Sequence, residues 1–324
     1  MKIGIYVPNW VGDAVMALPF ISLIRRECPE DRILIIGRTW VTDLFKHHPA
    51  VDEIVNLSHF RGPKTTTSVG LRLRKLDLDI FYLLSNSWRC AYLAWVSGAD
   101  CRIGYRGQWR SFLLTRANNK PSHSLHRSEK YLRLIGSTEI GSVDGIRITP
   151  EESWWGQKEM EKLGLKKPIA VFPSSIASSR KVPVEKWIEI MNHSGRQERR
   201  ILFFGSSPDR SIGEALADQL SNTVSICGHY SLRKSLVLIS LCEGAIGTDS
   251  GLSHVAAILG LPTVSLFGAG DPTHTAPLGP RTQVIRTGVH CSPCRMNVCH
   301  NNDEPLLCLK SLKADEIWEV YSSL

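Results

Sequence analysis

The feature that most constrains this chain is a rhythm in its apolar residues. Short β-branched runs alternate with longer amphipathic runs along nearly all of its 324 residues. Consecutive parallel strands can be joined only through a crossover, so this alternation predicts parallel sheets covered by helices. Strands are predicted at 2–7 (KIGIYV), 32–37 (RILIIG), 53–57 (EIVNL) and 79–84 (DIFYLL), with helices ending near Cys28 and spanning 41–48. The rhythm restarts with strands at 168–173 (PIAVFP), 200–205 (RILFFG), 244–248 (GAIGT) and 263–268 (TVSLFG). Helices are predicted between them at 184–193, 211–220, 232–242 and 252–259. The length suits two cores better than one. The expected fold class is α/β with two Rossmann-like doubly wound domains, 1–155 and 156–324, facing a cleft. The charged stretch 149–167, with Trp154-Trp155, reads as linker and hinge. In such sheets ligands sit at the carboxyl ends of the strands.

Composition narrows the classes. Hydrophobic residues at 43% and charged residues at 22% fit a folded chain rather than a disordered one. The net charge of +8 suggests an anionic partner: nucleic acid, an acidic membrane face or a phosphorylated substrate. No helix-turn-helix or other nucleic-acid signature accompanies it, so no nucleic acid is expected. The opening MKIGIYVPNW is too short and strand-like for a signal peptide, and no run approaches the ~18 apolar residues of a membrane span. A cytoplasmic chain that touches membranes only peripherally is expected, with its nine cysteines reduced.

The most informative stretch is Gly247-Thr248-Asp249-Ser250-Gly251-Leu252-Ser253-His254. A buried strand ends at Thr248 and a helix starts just beyond it, where free amides and the helix dipole attract phosphate. Gly251 allows close backbone approach, and Ser250 and His254 add donors from the same turn. A second reading makes Asp249 or Ser250 a helix cap. The turns 204–209 (FGSSPD) and 267–273 (FGAGDPT) fall at the same sheet edge, where Asp209 is placed to accept from ribose hydroxyls. Neither G-x-x-x-x-G-K-[ST] nor G-x-G-x-x-G follows the first strand, which argues against a nucleoside triphosphatase or a standard dinucleotide site.

Together, DSGLSHVAAILGLPTVSLFG, the opening strand with NWVGD and the FGSSPD turn resemble the ADP-heptose:lipopolysaccharide heptosyltransferases of glycosyltransferase family nine. That family has the two-Rossmann GT-B fold. Ser85-Asn86-Ser87-Trp88-Arg89 and Gly104-Tyr105-Arg106-Gly107 are similar to its heptosyltransferase II branch. The resemblance implies inverting transfer from ADP-L-glycero-D-manno-heptose to the inner core of lipopolysaccharide (a heptosyl-Kdo-lipid A type acceptor). It implies work at the cytoplasmic face of the inner membrane and no required cofactor. Asp249, Ser250, Gly251 and His254, with Ser174, would hold the diphosphate and donor sugar; Asp209 would meet the ribose and Tyr230 the adenine. The chain departs from the family at two points. Arg180-Lys181-Val182-Pro183 stands where Lys-x-Trp-Pro is usual, and Pro173 is followed by Ser174-Ser175 rather than glycine. Arg180 and Lys181 are both candidates to meet the leaving diphosphate.

In the resembled enzymes an aspartate at Asp13 is the general base. A sugar hydroxyl is a poor nucleophile until its proton is withdrawn, and a positioned base contributes ~10²–10⁴-fold. A helix start would keep the carboxylate ionised; capping that helix is the other reading. Gly12, Asn86, Arg106 and Arg110 are the candidate acceptor contacts. Two basic clusters could supply more: Arg61, Lys64, Arg72, Arg74 and Lys75, read as a mobile loop, and Arg102, Arg106, Arg110, Arg116, His123, His126, Arg127 and Lys130. Asp77-Leu78-Asp79 matches an Asp-x-Asp metal motif but leads into a strand, so it reads as that strand's polar start. Cys291, Cys294, Cys299 and Cys308 fit either a tetrahedral zinc site or reduced thiols. The terminal ADEIWEVYSSL is an amphipathic helix expected to pack back across the cleft. Competing functions are transfer from another nucleotide sugar or to another acceptor, and non-catalytic nucleotide binding.

Overall fold

In the computed structural model, which describes residues 1–57, 62–122, 124–193, 196 and 198–324, the two apolar rhythms form two six-stranded sheets, parallel throughout. The chain divides into two units, Met1–Arg147 and Ile148–Leu324. In the first, β1 (Lys2–Tyr6) leads through α1 (Val11–Val15) and α2 (Leu18–Glu27) to β2 (Arg32–Arg38). Then follow α3 (Thr39–Thr42), β3 (Glu53–Leu57), α4 (Pro63–Arg74), β4 (Ile80–Leu83), α5 (Trp88–Val96), β5 (Cys101–Tyr105), β6 (Arg116–Asn118) and α6 (Arg127–Leu132). The strand order is β3-β2-β1-β4-β5-β6. Ile3, Ile5, Ile33, Ile35, Phe81 and Leu83 are fully or almost fully buried, as expected of strands covered on both faces.

The second unit opens with α7 (Pro150–Lys162), then β7 (Ile169–Phe172), α8 (Val184–Asn192), β8 (Ile201–Phe203), α9 (Arg210–Gln219), β9 (Thr223–Ser225) and α10 (Leu232–Ser240). It continues with β10 (Gly244–Thr248), α11 (Gly251–Ile258), β11 (Thr263–Phe267), α12 (Pro272–Thr275), β12 (Thr282–Arg286), α13 (Leu307–Lys310) and α14 (Ala314–Ser323). Its order, β12-β11-β10-β7-β8-β9, is the first sheet's order counted from its own first strand. Each sheet therefore reverses direction beside its first strand, between β1 and β4 and between β7 and β10. Those switch points open a crevice for ligands.

Three expectations change, and the terminal helix finds its place. The predicted linker is a helix of the second unit. Thr149 and Glu152 form a reciprocal capping box with Pro150 in the first turn, and α7 packs so closely on α10 that a Cβ at Gly156 would lie 2.7 Å from Val237. The terminal helix α14 belongs to the second unit's own core, where Trp318 donates from Nε1 to the Ile190 carbonyl at 2.7 Å. The expected basic mobile loop is the helix α4, which lies on α5 through Gly70. The helix expected over 41–48 is only α3 and a short 3-10 turn, Asp43–Phe45. Arg61 and His123 of the basic clusters lie outside the described residues.

Candidate active site

In the second unit the switch point is stitched together by side chains. Thr248 Oγ1 donates to the Ser174 carbonyl and Ser175 Oγ to the Asp249 carbonyl, each at 3.0 Å. The β7 loop is thus tied to the end of β10, and Ser253 Oγ donates to the Thr248 carbonyl at 2.7 Å from one turn into α11. Asp249 is buried, and its Oδ2 lies 3.2 Å from Arg180 Nη1. A Cβ on Gly270 would lie 2.1 Å from the same oxygen, so only glycine lets this carboxylate sit against the β11 loop.

Ser250 stands at the N-cap of α11, yet its side chain makes no capping bond, and its buried hydroxyl has no hydrogen-bond partner. The buried Nε of Arg180 likewise makes no hydrogen bond. Leaving a buried donor unused costs roughly 1–3 kcal/mol, so two of them beside one helix mouth call for an acceptor. A phosphate oxygen meets that need, and the Arg180 charge on Asp249 offsets the repulsion an anion would otherwise feel there. The capping reading of Ser250 is not what the geometry supports. Of the two candidate cations, Arg180 pairs with Asp249 and Lys181 is exposed. His254 is buried in α11.

The turn carrying Arg180 is anchored from a distance. Buried Ser179 donates its hydroxyl to the Met296 carbonyl and its N–H to Asn297, and Ser178 Oγ also reaches Asn297. Arg295 N–H and Ser292 Oγ bond the carbonyls of Ala269 and Gly268 in the β11 loop. The cysteine-bearing segment therefore braces both walls of the site, a role the sequence reading missed although FGAGD after a strand could have suggested it. Cys308 is buried and Cys294 exposed, with Cys291 and Cys299 between. Burial, and then the three neighbouring thiols, push the Cys308 thiol up to about 11. Among the described residues no three His, Cys, Asp or Glu side chains are arranged to hold a metal ion.

Asp209 and Tyr230 fall at the same sheet edge. The Asp209 carboxylate accepts from Ser206 N at 2.8 Å and from its hydroxyl, within a capping box that fixes the β8 loop. Tyr230 donates to Glu159 Oε1 at 2.8 Å and meets Trp155 edge-on at 5.9 Å. Burial, then Glu159, push its hydroxyl up to about 12. Trp155 and Glu159, both on α7, were not anticipated as neighbours of Tyr230.

In the first unit Asp13 lies in the first turn of α1, after Gly12 and past the end of β1; Trp10 is the N-cap and no side chain caps the helix. Its Oδ2 is 3.3 Å from Arg127 Nη1. Desolvation works against the Arg127 charge, but Asp13 and Tyr131 outweigh it and raise its pKa; burial, then Asp13, raise that of Tyr131. Exposed Trp40 donates to the Asn9 carbonyl at 3.2 Å, with Arg38 over its ring. Asn86 follows β4 across the switch point, and its Oδ1 accepts from Arg110 Nη2 at 3.1 Å.

Arg110 requires a correction. It is fully buried, and its guanidinium bonds the carbonyls of Tyr105, Ser85 and Ser87 as well as Asn86 and Cys90 Sγ. Each of its three nitrogens bonds inside the unit and the side chain is closed off from solvent, so it shapes the 85–87 loop instead of facing an acceptor. Arg106 is exposed, with its Nε bonded to the Ala117 carbonyl. Asp79 accepts from Lys2 N–H at 2.6 Å, a strand-start role.

Residues 66–304 match the sequence profile of glycosyltransferase family 9 (heptosyltransferase). The chain is 26% identical over 315 residues to lipopolysaccharide heptosyltransferase 2 of Escherichia coli K12, covering 90% of each. The fold is that of E. coli ADP-heptose LPS heptosyltransferase II, with a TM-score of 0.83 and 22% identity over 100% of this chain and 98% of that one. A family 9 glycosyl transferase from Veillonella parvula superposes with a TM-score of 0.85 at 20% identity, covering 99% and 96%.

Proposed function

The chain belongs to glycosyltransferase family 9, and from that premise we propose that it moves heptose from ADP-L-glycero-D-manno-heptose to the inner core of lipopolysaccharide, with inversion. The heptosyltransferase 2 relatives support the donor and the acceptor class. The observation that carries the reading is the pair of unused buried donors, Ser250 Oγ and Arg180 Nε, beside the start of α11.

In this mechanism the diphosphate takes the free amides at Gly251, the Ser250 hydroxyl and the Arg180 guanidinium, with His254 and Ser174 completing the donor contacts. Asp209 meets the ribose and Tyr230 the adenine. Asp13 accepts the proton of the acceptor hydroxyl as its oxygen bonds the anomeric carbon. The bond from that carbon to the diphosphate breaks in the same step, and ADP departs with its new charge held by Arg180. Arg127 pairs with Asp13 and orients it, while Gly12, Asn86 and Arg106 meet the acceptor. Among the described residues no helix is long and apolar enough to cross a membrane. We place the chain at the cytoplasmic face of the inner membrane as a peripheral protein, where a lipid-anchored acceptor would be presented.

Calorimetry with ADP, UDP and GDP tests the donor half. ADP binding at least tenfold tighter than the other two, and lost in Arg180→Ala, is the expected result. Equal affinity for all three would point instead to a transferase using another nucleotide sugar.

A further inference from the structure

Each of the five tryptophans of the first unit is exposed; of the second unit's four, Trp187 and Trp318 are buried, Trp155 is half-buried and Trp154 is exposed. On α5, Trp88, Tyr92 and Trp95 share a face, and their rings stack in sequence with centroids 5.1 and 5.9 Å apart. Beside them runs α4, with Thr67 Oγ1 2.9 Å from the Tyr92 hydroxyl. Leu71, one turn beyond Thr67, is 50% exposed and extends the strip. The loop after β5 adjoins it. Gln108 Oε1 accepts from Trp88 N–H, and a left-handed backbone at Gln108 and Trp109 leaves the Trp109 ring 93% exposed.

The stretch of chain that carries this strip is rich in cations. Between Ile54 and Ser128 the chain carries twelve Lys and Arg against three Asp and Glu, which exceeds the +8 of the whole molecule. Neither α4 nor α5 contains an acid, and Lys64, Arg72, Arg74 and Arg89 on them are exposed.

We propose that the face made by α4, α5 and the loop after β5 seats the chain on an anionic lipid bilayer. Indole and phenol rings, apolar in body and polar at one edge, settle at headgroup level. Each cation near an anionic surface adds about fivefold to the partitioning. A second copy of this chain fits poorly, because the face would oppose its own charge. Single-stranded nucleic acid needs a row of open ring faces for successive bases, and here Trp88, Tyr92 and Trp95 are stacked on one another, which leaves Trp109 as the open ring of this face. The use of the surface rests on the proposed lipid-anchored acceptor; the binding itself does not depend on sugar transfer.

The test is co-sedimentation of the full chain with vesicles of phosphatidylcholine, with and without phosphatidylglycerol. Binding at least tenfold stronger to the anionic vesicles, weakened by salt, is expected. The double variant Leu71→Ser/Trp95→Ser should bind them about tenfold more weakly while ADP affinity and transfer to a water-soluble core oligosaccharide stay unchanged. Equal binding to both vesicle types, undiminished binding by the variant, a dimer that the variant dissolves, or tighter retention on single-stranded nucleic acid would each overturn the proposal. If vesicle binding is as expected but no heptose moves to either acceptor, the enzymatic reading fails and the membrane seat stands.

Discussion

Arg180 reaches Asp249 with one nitrogen and keeps a second, buried N–H without a hydrogen bond. A lysine could supply the charge but not both contacts, because its ammonium is a point charge and not a fork. Arg180→Ala should lower kcat by ~10²–10³-fold, the usual cost of deleting a donor that meets developing charge. Arg180→Lys should recover part of this, and Lys181→Ala should behave as wild type in steady-state assays. A loss in Lys181→Ala matching that in Arg180→Ala would reverse the assignment. Asp249 and Ser250 stood out in the sequence because a strand ends just ahead of them, whereas Asp13 was singled out by the family resemblance. It could not choose between Arg180 and Lys181, since that depends on a 3-10 turn held by carbonyls at Met296 and Asn297. Arg110 was misread for the same kind of reason: its partners at Ser85, Ser87 and Tyr105 meet it only in the folded chain.

At the scale of elements, the 85–87 loop stands on that buried guanidinium. Arg110→Met would leave its carbonyl partners without donors and should cost on the order of 3 kcal/mol, read as a lower urea midpoint, with a raised acceptor KM and unchanged ADP affinity. Elsewhere, buried His48 fastens the segment after β2 to the far end of the first unit. Its Nδ1 accepts from Ala50 N–H at 3.2 Å, which leaves Nε2–H to donate to the Asp144 carbonyl at 3.0 Å. Burial lowers its pKa from the ordinary 6.5, since it disfavours the charged imidazole. The unfolded chain therefore takes up the proton first. The contribution is complete above about pH 6.5 and is lost as pH falls through the depressed value. Urea midpoints from pH 7.5 down to 5 should drop for the wild type and less steeply for His48→Gln; parallel curves would exclude His48 as the cause. The strands were legible because parallel strands buried on both faces read as unbroken apolar runs. α4 was not, because Thr65, Thr66, Thr67 and Gly70 are weak helix formers and tertiary packing on α5 overrides them.

Over the whole molecule, two sheets of one strand order arise from a chain whose halves share only their βα rhythm. The fold class was readable because that rhythm admits few topologies, while the division at Arg147/Ile148 was not, because α7 is as charged as a linker and declares its unit through tertiary contacts such as Arg233–Glu152, Tyr230–Glu159 and the close approach at Gly156. The account requires a base in one unit and a diphosphate grip in the other to serve one reaction. The most direct test is mass spectrometry of a heptosyl-Kdo-lipid A acceptor incubated with ADP-heptose and either the wild-type chain or Asp13→Asn. One heptose should be added by the wild type, and ~10²–10⁴-fold more slowly by the variant, with its ADP affinity intact. No addition by the wild type, or undiminished addition by Asp13→Asn, would contradict the account.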